Sequence, residues 1–250
     1  MSHRRVLMVT GAGRGIGSAV AHLAAARGYD LLLTWGRDES AAEATAGACR
    51  ESGAAVELVQ ADAGDAEATR RAFVALDARF GRIDAFVPNA GVTGPSGDFL
   101  SSTDAVWAEV FRVNVLGLAT ACREAARRMA RSHGGAGGAI CAISSRAPAY
   151  GSPFEFVQYA ASKAAVDAIV LGLGKELAGE GVRVTAVAPG MIDTDIHAAS
   201  GDPARVDRIV PLVPLKRLGT PEEVAEAVLW LLSDAASYVT GTALAVGGGR

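Results

Sequence analysis

Tyr159 and Lys163 stand four residues apart in Gln158-Tyr159-Ala160-Ala161-Ser162-Lys163, inside a stretch with helical apolar spacing. Side chains four apart share one helix face, with Cβ atoms roughly 5–6 Å from each other. A free phenol titrates near ~10 and is a poor base at neutral pH. A neighbouring ammonium favours the phenolate and lowers that value. Such a pair can give a proton to a carbonyl oxygen or take one from an alcohol. A Tyr and a Lys at this spacing are also a common surface pairing, so the chemistry depends on what else the chain carries.

A second chemical feature lies near the start. The apolar run Val6–Thr10 leads into Thr10-Gly11-Ala12-Gly13-Arg14-Gly15-Ile16-Gly17, and a helical pattern follows. Glycine lets a backbone approach a diphosphate and permits positive φ. A helix N-terminus offers free N–H groups and a positive dipole to an anion. The glycines here follow GxxxGxG through Gly11, Gly15 and Gly17, with Ile16 between the last two, and depart from the common GxGxxG. The acid that binds a ribose 2′-hydroxyl belongs roughly 20 residues further on. That region reads Thr34, Trp35, Gly36, Arg37, with no acid at the strand end. Arg14 and Arg37 would instead suit a 2′-phosphate. Asp38 and Glu39 read as first-turn acids of the next helix.

The elements that must position these residues alternate along the chain. Candidate strands are 6–10, 30–34, 55–60, 85–88, 138–143, 182–188 and 243–246. Several are rich in Val, Leu and Ile with little alternation, as strands covered on both faces are. Between them lie helical patterns at 16–27, 40–52, 65–80, 103–131, 156–180 and 221–232. Thr220-Pro221 followed by Glu222 and Glu223 reads as a helix start. A repeated strand–helix–strand order implies an α/β fold: a doubly wound parallel sheet of about seven strands with helices on both faces. No linker or repeat divides residues 1–250, which read as one domain. Residues 193–218 lack clear regular structure and read as a substrate lid.

Composition narrows the class further. Half of the 250 residues are hydrophobic and a fifth are charged, with net charge -3. That balance gives no general attraction to nucleic acid or to an anionic membrane. No apolar stretch suggests a span, and the N-terminal run is too short for a signal peptide. Cys49, Cys122 and Cys141 form no CxxC pair and no zinc pattern, and His3, His22, His133 and His197 show no ligand spacing, so no metal site is expected. The cysteines read as buried free thiols of a cytoplasmic protein.

Taken in order, these motifs closely resemble the single-domain branch of the short-chain dehydrogenase/reductase family, over nearly the whole chain. The glycine turn matches Thr10–Gly17. The family's adenine-contacting Asp matches Asp62, beside Ala63. Its NAG motif matches Asn89-Ala90-Gly91, its mid-helix Asn matches Asn114, and its Ser matches Ser145 in Ile143-Ser144-Ser145. Its YxxxK matches Tyr159 and Lys163, and its PG turn matches Pro189-Gly190, followed by Ile192 and Thr194.

The resemblance implies a Rossmann-like fold that binds NADP(H), or else NAD, and moves hydride to or from a small carbonyl or alcohol substrate. It implies Tyr159 as general acid/base, with Lys163 lowering its pKa and binding the nicotinamide ribose. Ser145 would polarise the reacting oxygen, Asn114 would hold a relay water, and Ile192 and Thr194 would meet the nicotinamide amide. It also implies a homo-oligomer, a tetramer or dimer, built on the 156–180 helix and the C-terminal strand.

Some positions depart from the family pattern. Pro88 stands where a second Asn is usual. The Ser145–Tyr159 spacing is one residue longer than the family pattern, which leaves Ser144 as a rival. Val246-Gly247-Gly248-Gly249 lacks the usual acid, and Phe154-Glu155-Phe156 is bulky. Thr93, Tyr150, Phe154, Glu155 and His197 are candidate pocket residues. Alternative readings are a dinucleotide-sensing protein without turnover, an NAD-dependent sugar or alcohol dehydrogenase, and epimerase or dehydratase chemistry on the same scaffold.

Overall fold

A computed structural model describes residues 4–194 and 205–250. The strands are β1 (Arg5–Val9), β2 (Tyr29–Trp35), β3 (Val56–Gln60), β4 (Ala85–Val87), β5 (Gly138–Ile143), β6 (Val182–Pro189) and β7 (Thr242–Val246). The helices are α1 (Gly15–Ala26), α2 (Glu39–Glu51), α3 (Ala66–Phe80), α4 (Asp104–Phe111), α5 (Leu118–Met129), α6 (Ala147–Tyr150), α7 (Val157–Glu176), α8 (Arg205–Ile209) and α9 (Pro221–Leu232). All seven strands pair in parallel in the order β3-β2-β1-β4-β5-β6-β7.

The weak alternation of the strands now has its reason. Leu7 and Val9 of β1 face a core built with α1 and α9, while Val6 and Met8 face one built with α3, α5 and α7. Both faces are covered, so both sets must be apolar. Cys49, Cys122 and Cys141 are buried and free, and burial pushes the Cys122 thiol up to about 12. Helix starts follow the acids. Asp38 caps α2 through the Ala41 N–H, and Thr220 with Glu223 forms a reciprocal capping box on α9.

Three expectations need adjustment. The 103–131 pattern is not one helix: Arg112–Gly117 forms a π-type segment between α4 and α5. Gly117 is the reason for the close packing there, because a Cβ on it would collide with the Ala63 carbonyl. Second, Asp104–Met129 is long and apolar enough by composition to cross a membrane, yet it packs against α3 and α7 within the domain. Third, the lid segment falls partly outside the described residues. Its described part holds α8 and a short 3-10 turn at Val210–Leu212.

Candidate active site

The chain builds β1, β2 and β3 outward on one side and then returns to place β4 on the other side of β1. A crevice forms beyond the carboxyl ends of strands at such a reversal. The glycine turn occupies it. Gly11 and Gly15 adopt φ +63° and +55°, where a side chain would be strained. A Cβ on Gly17 would collide with the Gly11 carbonyl oxygen. The turn is held from three directions. The Thr10 hydroxyl accepts from the N–H groups of Asn89 and Ala90, at 3.0 and 3.1 Å. The Asn89 amide donates to the carbonyls of Thr10 and Gly11, both at 2.9 Å. From α2, the Thr45 hydroxyl donates to Gly13 O and meets Ser18.

Asn89 therefore braces the cradle with its amide, a use the motif alone does not reveal. No side chain caps α1 and no acid stands in its first turn, so its positive end faces the crevice uncompensated by a carboxylate. A half-buried turn of glycines at a helix N-terminus without a side-chain cap fits the diphosphate bridge of a dinucleotide. Thr194 closes on the turn, its methyl carbon 3.3 Å from where a Gly15 Cβ would be. Ile192 bridges to Gly219 and is buried. Gly190 backs onto Gly247, at a distance that leaves no room for side chains.

At the far end of the crevice, one Asp62 oxygen accepts from the Gly64 N–H at 2.9 Å and the other meets Arg112 at 3.0 Å. Arg112 also grips Glu109, at 2.7 and 2.9 Å. These contacts hold the Asp62 carboxyl below its ordinary range against the opposing effect of burial, and Arg37 is close enough to add to the lowering. Arg112 was not foreseen. It stands two residues before Asn114, and only the fold brings it to Asp62.

Tyr159 and Lys163 sit by the end of β5. Lys163 is only 4% exposed, and its ammonium donates to the Ile143 carbonyl at 2.6 Å. Tyr159 lies on the same face of α7, with Lys163 Nζ 5.7 Å from its ring centroid. The Tyr159 hydroxyl lies close enough to Ser145 for that side chain to favour the phenolate, and the Ser145 Oγ accepts the Ala147 N–H at 3.0 Å. Ser144 is buried and turned away, donating to Asp167 at 2.5 Å. The structure thus brings Ser145, not Ser144, to the tyrosine.

Asn114 is 1% exposed. Its amide donates to the Val92 carbonyl and the Ser162 hydroxyl, at 2.8 and 2.9 Å, while its own oxygen accepts the Val92 N–H at 2.8 Å. That tie anchors the loop after Gly91 to α7. Gln158 does the same for residues 93 and 95.

One electrostatic expectation changes. Burial pushes the Tyr159 phenol up rather than down, and Ser145 only opposes this in part. The same burial lowers Lys163 to about 8, against the pull of Asp167. Removing either group from water disfavours its charged form, which raises the phenol and lowers the ammonium. Of the candidate pocket residues, Tyr150 is flanked by the guanidinium groups of Arg146 and Arg250, and Phe154 is 82% exposed. His197 lies outside the described residues. A cavity of about 450 Å³ opens beside Ile192, lined also by Arg146, Met191 and Leu215.

An anion cradle follows β1 and, two strands across, Tyr159 stands beside the buried amine of Lys163 past the end of β5. The fold and the crevice together define a nicotinamide-dinucleotide oxidoreductase. Comparison with known proteins gives the same class. A family model described as enoyl-(acyl carrier protein) reductase matches residues 11–250. An uncharacterised oxidoreductase, YgfF, of Escherichia coli (strain K12) is 42% identical over 245 residues, covering 98% of this chain and 99% of that one. The crystal structure of levodione reductase superposes with TM-score 0.92 at 32% identity, covering 98% of this chain and 96% of that one. A short-chain dehydrogenase from Burkholderia cenocepacia J2315, solved in complex with NADP, gives 0.90 at 30% identity, covering 98% and 97%.

The chain belongs to the short-chain dehydrogenase/reductase family, and it is an oxidoreductase of alcohol and carbonyl groups.

Proposed function

We propose that the protein transfers hydride between NADP(H) and a small carbonyl or secondary alcohol, with Tyr159 as general acid/base. The observation that carries this reading is Tyr159 placed by Ser145, with the buried Lys163 ammonium 5.7 Å from its ring. The nicotinamide supplies or accepts the hydride. The chain handles the proton: Tyr159 protonates the substrate oxygen in reduction, Ser145 donates to that oxygen, and Lys163 stabilises the phenolate left behind. Lys163 also binds the nicotinamide ribose, and Asn114 holds a relay water between Lys163 and solvent. Ile192 and Thr194 meet the carboxamide. The stretch from Asp193 to Leu218 acts as the substrate lid.

Reduction of a test ketone, followed at 340 nm, decides the reading. The phenol stays protonated through neutral pH because its pKa is raised. Lys163 is charged below about 8 and neutral above it. The turnover number for reduction should therefore hold on the acid side and fall as pH rises through about 8. A profile flat to pH ~10, the range of an unperturbed lysine, would remove Lys163 from this role.

NADP is favoured over NAD by the adenosine end. Asp38 spends its carboxylate on capping α2, so it does not guard the ribose. Arg37 is exposed on the same rim as Asp62, and Arg14 opens α1. Charge-assisted hydrogen bonds to a 2′-phosphate contribute about 1.5–3 kcal/mol each. The enzyme should prefer NADPH to NADH in kcat/KM, and Arg37→Ala or Arg14→Ala should shrink that preference ~10-fold or more. A wild-type preference for NADH would overturn the assignment.

The protein also forms a homo-oligomer in this reading. Leu171 on α7 and Leu244 on β7 are 47% and 38% exposed, and nearby Tyr238 is fully exposed. Two such apolar faces suit burial against copies of the chain. Light scattering should give a dimer or tetramer mass, and a monomer would count against it.

A further inference from the structure

Three consecutive residues at the end of β5 each grip a different turn of α7. The Ile143 carbonyl accepts from Lys163, Ser144 donates to Asp167, and Ser145 stands by Tyr159. On the helix, Tyr159, Lys163 and Asp167 are spaced i, i+4 and i+8, so all three lie along one face. Two of these contacts belong to the proton chemistry proposed above. The third, Ser144–Asp167, has no part in it.

Its geometry is that of a committed pair. Ser144 is 1% exposed and its hydroxyl reaches the carboxylate at 2.5 Å, the short distance of a charge-assisted bond. Ser144 and Ser145 directly follow β5, and they meet α7 at different levels: Ser144 reaches Asp167, while Ser145 stands by Tyr159.

We propose that Ser144 and Asp167 form a positioning pair that holds the end of β5 against α7 and gives Lys163 its counter-charge. This rests on the hydride-transfer reading for its effect on rate, but not for its effect on the lysine. Among the described residues, these groups surround Lys163. On α7 they are Tyr159, Ser162 and Asp167; from β5 comes the Ile143 carbonyl; from the π segment comes Asn114, near Gly91. Tyr159 is kept in its neutral form by burial, and Asn114 and Ser162 carry no charge. Asp167 is left as the carboxylate that acts on the ammonium, and it opposes the loss of the proton caused by burial.

The two halves of the proposal separate by substitution. Asp167→Asn keeps an oxygen for the Ser144 hydroxyl and removes the charge. Ser144→Ala keeps the charge and removes the bond. The chain has three lysines, Lys163, Lys175 and Lys216, so a 13C-lysine NMR titration resolves Lys163 with no substrate present. In wild type Lys163 should titrate near about 8. In Asp167→Asn the midpoint should fall by roughly half a unit or more, and the alkaline limb of the rate should move down with it. The KM for the ketone should stay in place. In Ser144→Ala the midpoint should stay within a few tenths of a unit, while the turnover number drops several-fold because Ser145 and the Ile143 carbonyl lose their anchor.

An unmoved Lys163 midpoint in Asp167→Asn overturns the electrostatic half, whatever happens to the melting temperature. Wild-type turnover in Ser144→Ala overturns the positioning half. Absence of turnover in wild type with a broad set of carbonyls rejects the hydride-transfer reading instead, and the lysine titration still decides the role of Asp167.

Discussion

Tyr159→Phe should leave a folded protein that binds its cofactor and turns over at least ~10²-fold more slowly, the scale of lost general acid–base help. The substitution removes one hydroxyl and keeps the ring under Lys163. No core contact depends on that oxygen. It stands by Ser145, whose Oγ keeps the Ala147 N–H as a partner. The melting temperature should therefore stay within a few degrees, and cofactor titration by fluorescence should give a dissociation constant within about threefold of wild type. Retention of more than half the activity would place the proton transfer elsewhere. A large loss of cofactor affinity would mean that the hydroxyl binds rather than reacts.

A second large effect is expected at Gly17. A Cβ there would collide with the Gly11 carbonyl oxygen and stand 2.6 Å from the Asn89 amide nitrogen. Neither neighbour can yield without loss, because the Asn89 amide is what bonds Gly11 to β4. Gly17→Ala should destabilise by about 1–3 kcal/mol, the usual cost of overpacking a tight site. Gly17→Val should go further, deform the cradle and abolish measurable cofactor binding. Gly47 supplies the contrast. It lies inside α2 with no atom within 4 Å of where its Cβ would stand, so Gly47→Ala should stabilise by about 0.5–1 kcal/mol through helix propensity. Calorimetric melting of both variants checks the opposite signs. A Gly17→Ala protein with unchanged stability and cofactor affinity would show that the turn relaxes freely.

Much of the architecture was legible in the residues. Period and strand composition placed all seven strands within a residue or two; central strands such as β1 and β2, buried on both faces, carry runs of Val and Leu, while β7 at the sheet edge is mostly exposed. Thr220, Asp38 and their following acids marked helix starts because capping is a local interaction, complete within one turn. The π segment was not legible. Arg112–Gly117 reads as ordinary helix, and its departure answers to Ala63 lying against Gly117, a contact 54 residues away in sequence.

The candidate site divides along the same line. Residue types and spacing by themselves determined that Tyr159 and Lys163 share a helix face, that Gly11, Gly15 and Gly17 form a turn before a helix, and that no acid stands at the end of β2. Each of those statements concerns neighbours along the chain, where backbone geometry dictates distance. The tertiary structure alone decided which serine meets the tyrosine, that Asn89 braces the glycine turn, and that Arg112 holds Asp62. It also reversed the expected direction for the Tyr159 pKa. The sequence shows a lysine four residues away, but it does not show how far the fold buries the two groups, and burial is the largest influence on both.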